Sequence, residues 1–134
     1  MPRLTSQQKL NNIAKQVEVG TQEMMRRVAL NIDSALVLTT PVDTGRARSN
    51  WQVSIGKSAL GTVDTPVSPS EAIGNAKSEL AKLRGSDDRI HITNNLPYIR
   101  RLNEGWSPQQ PPGYVDTAIA TVVGSIHKQR ILQK

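Results

Sequence analysis

The chain reads as an α+β domain in which a long N-terminal helix, a small antiparallel sheet, a middle helix and a C-terminal helix packed on the sheet share one core. Three observations predict it. Apolar residues recur at helical spacing over the first forty positions, two short stretches alternate with period two, and helix start and stop signals bracket two further segments.

The first helix is expected over about 6 to 38. Thr5-Ser-Gln-Gln8 has the form of a capping box, and Leu10, Ile13, Val17, Met24, Val28, Ile32 and Ala35 come after it near helical spacing. Gly20 and Thr21 lower the local propensity, by about 1 kcal/mol at the glycine, and mark the place where a bend would fall. Met24, Met25, Arg26 and Arg27 are read as methionines towards the core and arginines towards solvent.

Pro41 ends this helix and biases Thr40 to extended geometry, Asp43 and Thr44 can accept turn hydrogen bonds, and Gly45 permits a positive φ. From Arg46 the residues alternate, which predicts a strand with Arg46, Arg48, Asn50, Gln52 and Ser54 on one face and Ala47, Ser49, Trp51, Val53 and Ile55 on the other. Gly56 and Gly61 bracket a turn, and Thr62 to Val67 are expected to return as a short strand. Ser68-Pro-Ser-Glu71 supplies an N-cap, a proline at the first helical position and a glutamate three residues on, opening a helix over about 69 to 84 that Gly85 closes.

Arg89-Ile-His-Ile-Thr93 alternates again, with Ile90 and Ile92 inward. Asn94, Asn95 and Pro97 end that strand and begin a short helix through Leu102, closed by Gly105; Pro108, Pro111 and Pro112 make the 106–113 loop extended and stiff. From Val115, the residues Ala118, Ile119, Val122 and Ile126 define the last helix, with Asp116 in its first turn and Lys128 and Arg130 near its end, where they suit the macrodipole.

The 134 residues suit a single domain spanning 1–134, able to bury a core without staples. With no cysteine, disulfides, thiolate metal sites and cysteine nucleophiles are excluded. No apolar run approaches the ~20 residues of a membrane span, and Met1 to Lys9 lack a signal-peptide core, so a soluble, non-exported protein without membrane contact is expected. Two tryptophans, two tyrosines and no phenylalanine leave an aliphatic core, lean enough that neighbouring subunits are expected to complete its burial. The net charge of +6 is concentrated at the ends: residues 1–30 carry five bases and two acids, and 91–134 the same, whereas 61–90 carry four bases and five acids. Such ends attract phosphate or an acidic protein surface.

Catalytic groupings are sparse. His91 and His127 are remote and have ordinary places on a strand and near a helix end, and Asp87-Asp88 beside Gly85 fits a turn cap better than an acid/base pair. No phosphate-loop or dinucleotide glycine pattern occurs, and no cofactor, metal or catalytic residue is expected. Arg46 and Arg48 either reach one acidic surface together or pair internally with Asp43 or Glu104. Trp51 and Tyr98 are read as core residues, and Trp106 as a clamp on its proline-rich loop or an anchor for a neighbouring subunit.

The corner Thr-Pro-Val-Asp-Thr-Gly-Arg-Ala-Arg-Ser-Asn-Trp at 40–51 resembles the Asp-Thr-Gly-Arg signature of the minor tail proteins of long-tailed bacteriophages, the tail-completion family of the lambda protein Z. Residues 92 to 115, with an asparagine before Pro97-Tyr98, the pair Glu104-Gly105 and a Pro/Gln/Gly loop, resemble the second block of that family. The two blocks cover about 40 residues in the family's order and lie between long helices, so the context fits as well as the motif. The resemblance implies a structural virion protein of the tail or neck, assembled in the host cytoplasm. It implies a ring, hexameric to match the tail, that contacts a tail terminator or tail tube protein on one face and a head-connector protein on the other. It also makes Asp43, Gly45, Arg46, Arg48, Trp51, Asn94, Tyr98, Glu104, Gly105 and Trp106 candidates for holding the framework or its interfaces. A ring needs two different patches of each subunit to meet; the basic helices, the 106–113 loop and the strand edges are the surfaces expected to serve.

Two rivals stand beside this reading. A small nucleic-acid-binding protein fits the sequence pI of about 10.1, but no recognition helix follows the middle helix and stacking aromatics are few. Basic groups lining a channel would still allow nonspecific contact with packaged DNA, which steeply salt-dependent duplex binding would reveal. A metal-dependent hydrolase using Asp43, Asp87 or Asp88 lacks the accompanying histidine–carboxylate cluster.

Overall fold

The computed structural model describes residues 5–41, 45–86, 88–105, 110 and 112–132, with the backbone alone for 127–132. The expectations placed on Asp43, Thr44, Asp87, Trp106, Pro108, Pro111 and the side chains of His127, Lys128 and Arg130 lie outside the described residues.

Helix α1 spans Ser6–Thr39, and its start is the predicted capping box: Thr5 Oγ1 accepts from the Gln8 amide at 3.1 Å while Gln8 Oε1 accepts from the Thr5 amide at 2.8 Å. The helix runs through Gly20 without a break. It ends at Thr40, whose amide and hydroxyl both turn back to the Leu36 carbonyl.

The predicted strand from Arg46 is corrected at its start. Arg46–Ser49 form one helical turn, α2, and β1 is only Gln52–Ile55. Side chains cause this: Ser49 Oγ donates to the Gly45 carbonyl at 2.8 Å and Asn50 Nδ2 to the Arg46 carbonyl at 2.7 Å, closing a turn that extended geometry would open. The alternation holds where the strand exists, with Val53 buried and Ile55 packed against the core.

Thr62 to Val67 form no strand either. The hydrogen bonds a partner strand would take are made by side chains, Asn50 to both Val63 backbone groups and Ser49 to the Val67 amide. Helix α3, Pro69–Leu80, opens on Ser68 as predicted and stops short of Gly85. Its final turn tightens, Lys82 and Leu83 amides bonding the Glu79 and Leu80 carbonyls, and Arg26 of α1 takes the carbonyls of Leu80 (3.2 Å) and Leu83 (2.8 Å). Arg26 therefore faces a neighbouring helix end and is half-buried, contrary to its assignment to solvent.

Strand β2, Ile90–Thr93, pairs antiparallel with β1 in the register Gln52↔Thr93 to Ile55↔Ile90, and the sheet has these two strands. The sheet's inner face meets α1 and α3: Ala29, Val53, Ala76 and Leu80 form the buried cluster, with Leu30, Ile55, Ile90 and Ile92 against it. A short helix α4, Ile99–Asn103, leads to α5, Tyr114–Leu132, which packs chiefly along α1. The architecture is thus mixed α+β and helix-dominated, and no helix among the described residues is long and apolar enough to cross a membrane.

Candidate functional site

The two sequence blocks fold into one polar corner beneath the end of α1. Gly45 enters it with φ +73°, the left-handed geometry that a side chain disfavours, and so starts α2 directly below the last turn of α1. Arg48 reaches up to that turn, Nε donating to the Val37 carbonyl at 3.0 Å. Trp51 Nε1 donates to the hydroxyl of the C-cap Thr40 at 2.8 Å, so the guanidinium takes a terminal carbonyl of α1 while the indole holds the cap side chain. Trp51 is half-buried and Tyr98, at the N-cap of α4, likewise.

Asn50 is the centre of the corner. It is fully buried, and its amide serves three backbone groups: Nδ2 donates to the Arg46 and Val63 carbonyls at 2.7 and 2.8 Å, and Oδ1 accepts from the Val63 amide at 2.6 Å. Asn94 performs the same service for the second block. Its Nδ2 donates to the Ala47 carbonyl at 3.0 Å, and its Oδ1 accepts from the Leu96 amide at 3.2 Å in an Asx turn that stops β2. Asn95 Nδ2 reaches the Ala59 and Gly61 carbonyls, both at 2.9 Å.

Of the internal partners weighed for Arg46 and Arg48, Asp43 lies outside the described residues and Glu104 is not taken. Among the described residues Arg46 pairs with Asp64 at 3.4 Å, Arg48 with the Val37 carbonyl, and exposed Glu104 forms no ion pair with either. What joins the blocks is the Asn94–Ala47 bond, and the strands that flank them, β1 and β2, pair. Glu104 instead closes α4 through its amide, and Gly105 comes next with φ +97°. A Cβ on Gly105 would come within 2.7 Å of the Pro112 ring, so the glycine is demanded by space as well as by φ. Asn103 completes this second knot, its carbonyl accepting from Gly113 and its Oδ1 from Val115, which seats the first turn of α5.

Two further polar groups are buried near the corner. Asp33 lies on the same stripe of α1 as Leu36, Val37 and Thr40, has no exposure, and neither carboxylate oxygen has a hydrogen-bond partner; burial raises its pKa to about 7. Tyr114, buried at the start of α5, has its phenol raised by burial, opposed by the Thr40 hydroxyl beside it, which falls short of hydrogen-bond geometry.

Elsewhere His91 and Asp88 make ordinary turn and strand-end contacts. His91 Nε2 lies 3.2 Å from the Gly56 carbonyl, and Asp88 accepts from the Arg84 and Gly85 amides as a turn cap. Among the described residues no three His, Asp or Glu side chains gather to hold a metal. Sequence reasoning did not single out Asn50, placed on a strand face with Arg46 and Arg48, or Asp33, and it gave Arg26 to solvent; the Val63 partner of Asn50, the Leu80 and Leu83 partners of Arg26 and the burial of Asp33 are set by tertiary structure. No family model, curated protein or solved structure matches this chain.

Proposed function

We propose that the chain is a structural subunit of a tailed-bacteriophage virion, a tail-completion protein that assembles as a ring at the head-proximal end of the tail and joins the tail to the head connector. The observation that carries the reading is the corner itself. The Asp-Thr-Gly-Arg block and the Asn94–Tyr114 block, which resemble a tail-completion family in order and content, are bonded to each other through Asn94 and the Ala47 carbonyl, and the strands that flank them, β1 and β2, pair. The bonds that Arg48, Ser49, Asn50 and Asn94 make in the corner end on backbone groups, which is how a framework is held.

In this role the subunit works by contact. Arg48 and Trp51 tie the corner to the end of α1, Asn94 ties it to the end of β2, and Asn103 seats α5 on α4, so that surfaces far apart in sequence are presented in fixed relation. Exposed Leu60, on the 56–61 turn beside the sheet edge, is one apolar contact such an assembly would cover. Immunogold labelling and mass spectrometry of purified particles test the reading: the protein is expected in mature virions at the junction of head and tail. Its absence from particles made by cells that express it would overturn the assignment.

A further inference from the structure

The first twelve residues of α1, through Val17, stand clear of the rest of the molecule, and at Glu18 the helix meets it, the carboxylate accepting from the Ser86 amide at 2.7 Å. Every residue from Thr5 to Val17 is exposed, and the helix acquires buried residues only from Ala29 onward. A free helical arm of this length is marginal in water, because most helical stability in proteins comes from packing an apolar face. This arm has such a face, and it lies open: Leu10, Ile13, Val17 and Met24 are 60, 57, 63 and 42 % exposed. With Gly20 they fall at alternating spacings of three and four, the seam of a two-stranded coiled coil.

The charges beside that seam select the partner and its direction. Lys9, Gln16 and Glu23 recur every seventh residue along one flank, all exposed, and neither Lys9 nor Glu23 has an ion pair among the described residues. In an antiparallel pair of identical helices the same flank of each faces the other. When Ile13 lies opposite Val17 of the partner subunit, Leu10 lies over Gly20 of the partner subunit, where the missing side chain leaves room for it. In that same register Gln16 meets its own copy on the two-fold axis, and Lys9 meets Glu23 of the partner subunit twice. A parallel pair would instead set Lys9 against Ala14 and Glu23 against Val28, with no charge matched.

We infer that the projecting N-terminal part of α1 is a homodimerisation arm, pairing antiparallel with α1 of a second copy about a two-fold axis near residue 16. The seam continues into a groove of about 750 Å³ lined by Met24, Met25, Val28, Ile32, Ile90 and Ile126. The N-cap end of the partner helix reaches the mouth of this groove. Such a contact is isologous and closes on itself. It therefore goes beyond the ring reading and is independent of it: it is a state of the free protein, in which the apolar arm is covered.

The test uses the full chain, which has no cysteine of its own. Sedimentation over about 1–200 µM is expected to show a species of twice the 14.7 kDa chain mass. Lys9→Glu and Glu23→Lys are each expected to raise the dissociation constant about tenfold, and the double exchange to restore it within about threefold. Under oxidation the double variant K9C/E23C is expected to form a covalent dimer, while K9C and E23C alone do not, since like positions then stand about 20 Å apart along the helices. A monomer across the whole range, or failure of K9C/E23C to cross-link where the dimer is populated, overturns the proposal, as does a dimer indifferent to both charge changes.

Discussion

At position 33 a carboxyl group sits on the buried stripe of α1 with no hydrogen-bond donor to compensate it. Its folded pKa of about 7, against an ordinary 3.8, means that the folded chain holds a proton which the unfolded chain releases between those values. Stability therefore falls as pH rises from about 4 to about 7 and is flat above, the reverse of the usual paired aspartate. Asp33→Asn is expected to remove that slope and to stabilise the protein at pH 8 by on the order of 1–2 kcal/mol, read from denaturant melts at pH 5 and pH 8; an unchanged slope would assign it to other groups. Asn50 is the opposite case, a buried side chain whose every bond is made. Asn50→Ala strands three backbone groups around α2 and residue 63 and is expected to cost about 2–4 kcal/mol. The glycines separate by their surroundings. Gly45→Ala meets only an ordinary contact at 3.5 Å and is expected to cost about 1 kcal/mol for its φ, whereas Gly105→Ala also collides with Pro112 and is expected to cost about twice that or more. Equal losses in thermal melts of the two variants would contradict the close packing of Pro112 on Gly105.

Elements were legible where their signals are local. Thr5 and Gln8, or Ser68, Pro69 and Glu71, announce helix starts because the bonds they make span three residues, and Ile90–Thr93 announces a strand because apolar and polar residues alternate along it. The corner was legible as a break and a resemblance but not as a shape. Alternation from Arg46 to Asn50 fits a strand equally well until Ser49 and Asn50 are seen to bond back four residues, and Asn50 finds its other partner thirteen residues ahead. The end of α3 fails in the same way, since the group that satisfies its carbonyls, Arg26, lies 54 residues before Leu80. That contact carries its own expectation: Arg26→Leu keeps the aliphatic packing but leaves the Leu80 and Leu83 carbonyls without their donor. Hydrogen exchange of the 80–84 amides should then rise about tenfold or more, with α5 unchanged. Uniform acceleration across the chain would show instead that Arg26 acts on global stability.

For the molecule as a whole, the body and the arm make different demands. The body is held by a small aliphatic cluster, by the Arg48 and Trp51 bonds that anchor the corner to the end of α1, and by asparagine bonds that tie α2 to residue 63 and to the end of β2, and α4 to α5. Its lean core and its exposed apolar residues at both the arm and Leu60 are what a subunit built for assembly would carry. The central claim is that this subunit joins tail to head, and electron microscopy of particles made without it tests that most directly. Filled heads and complete tails lying separate in the lysate are the predicted result, reversed by supplying the protein in trans; intact virions with normal necks would contradict it.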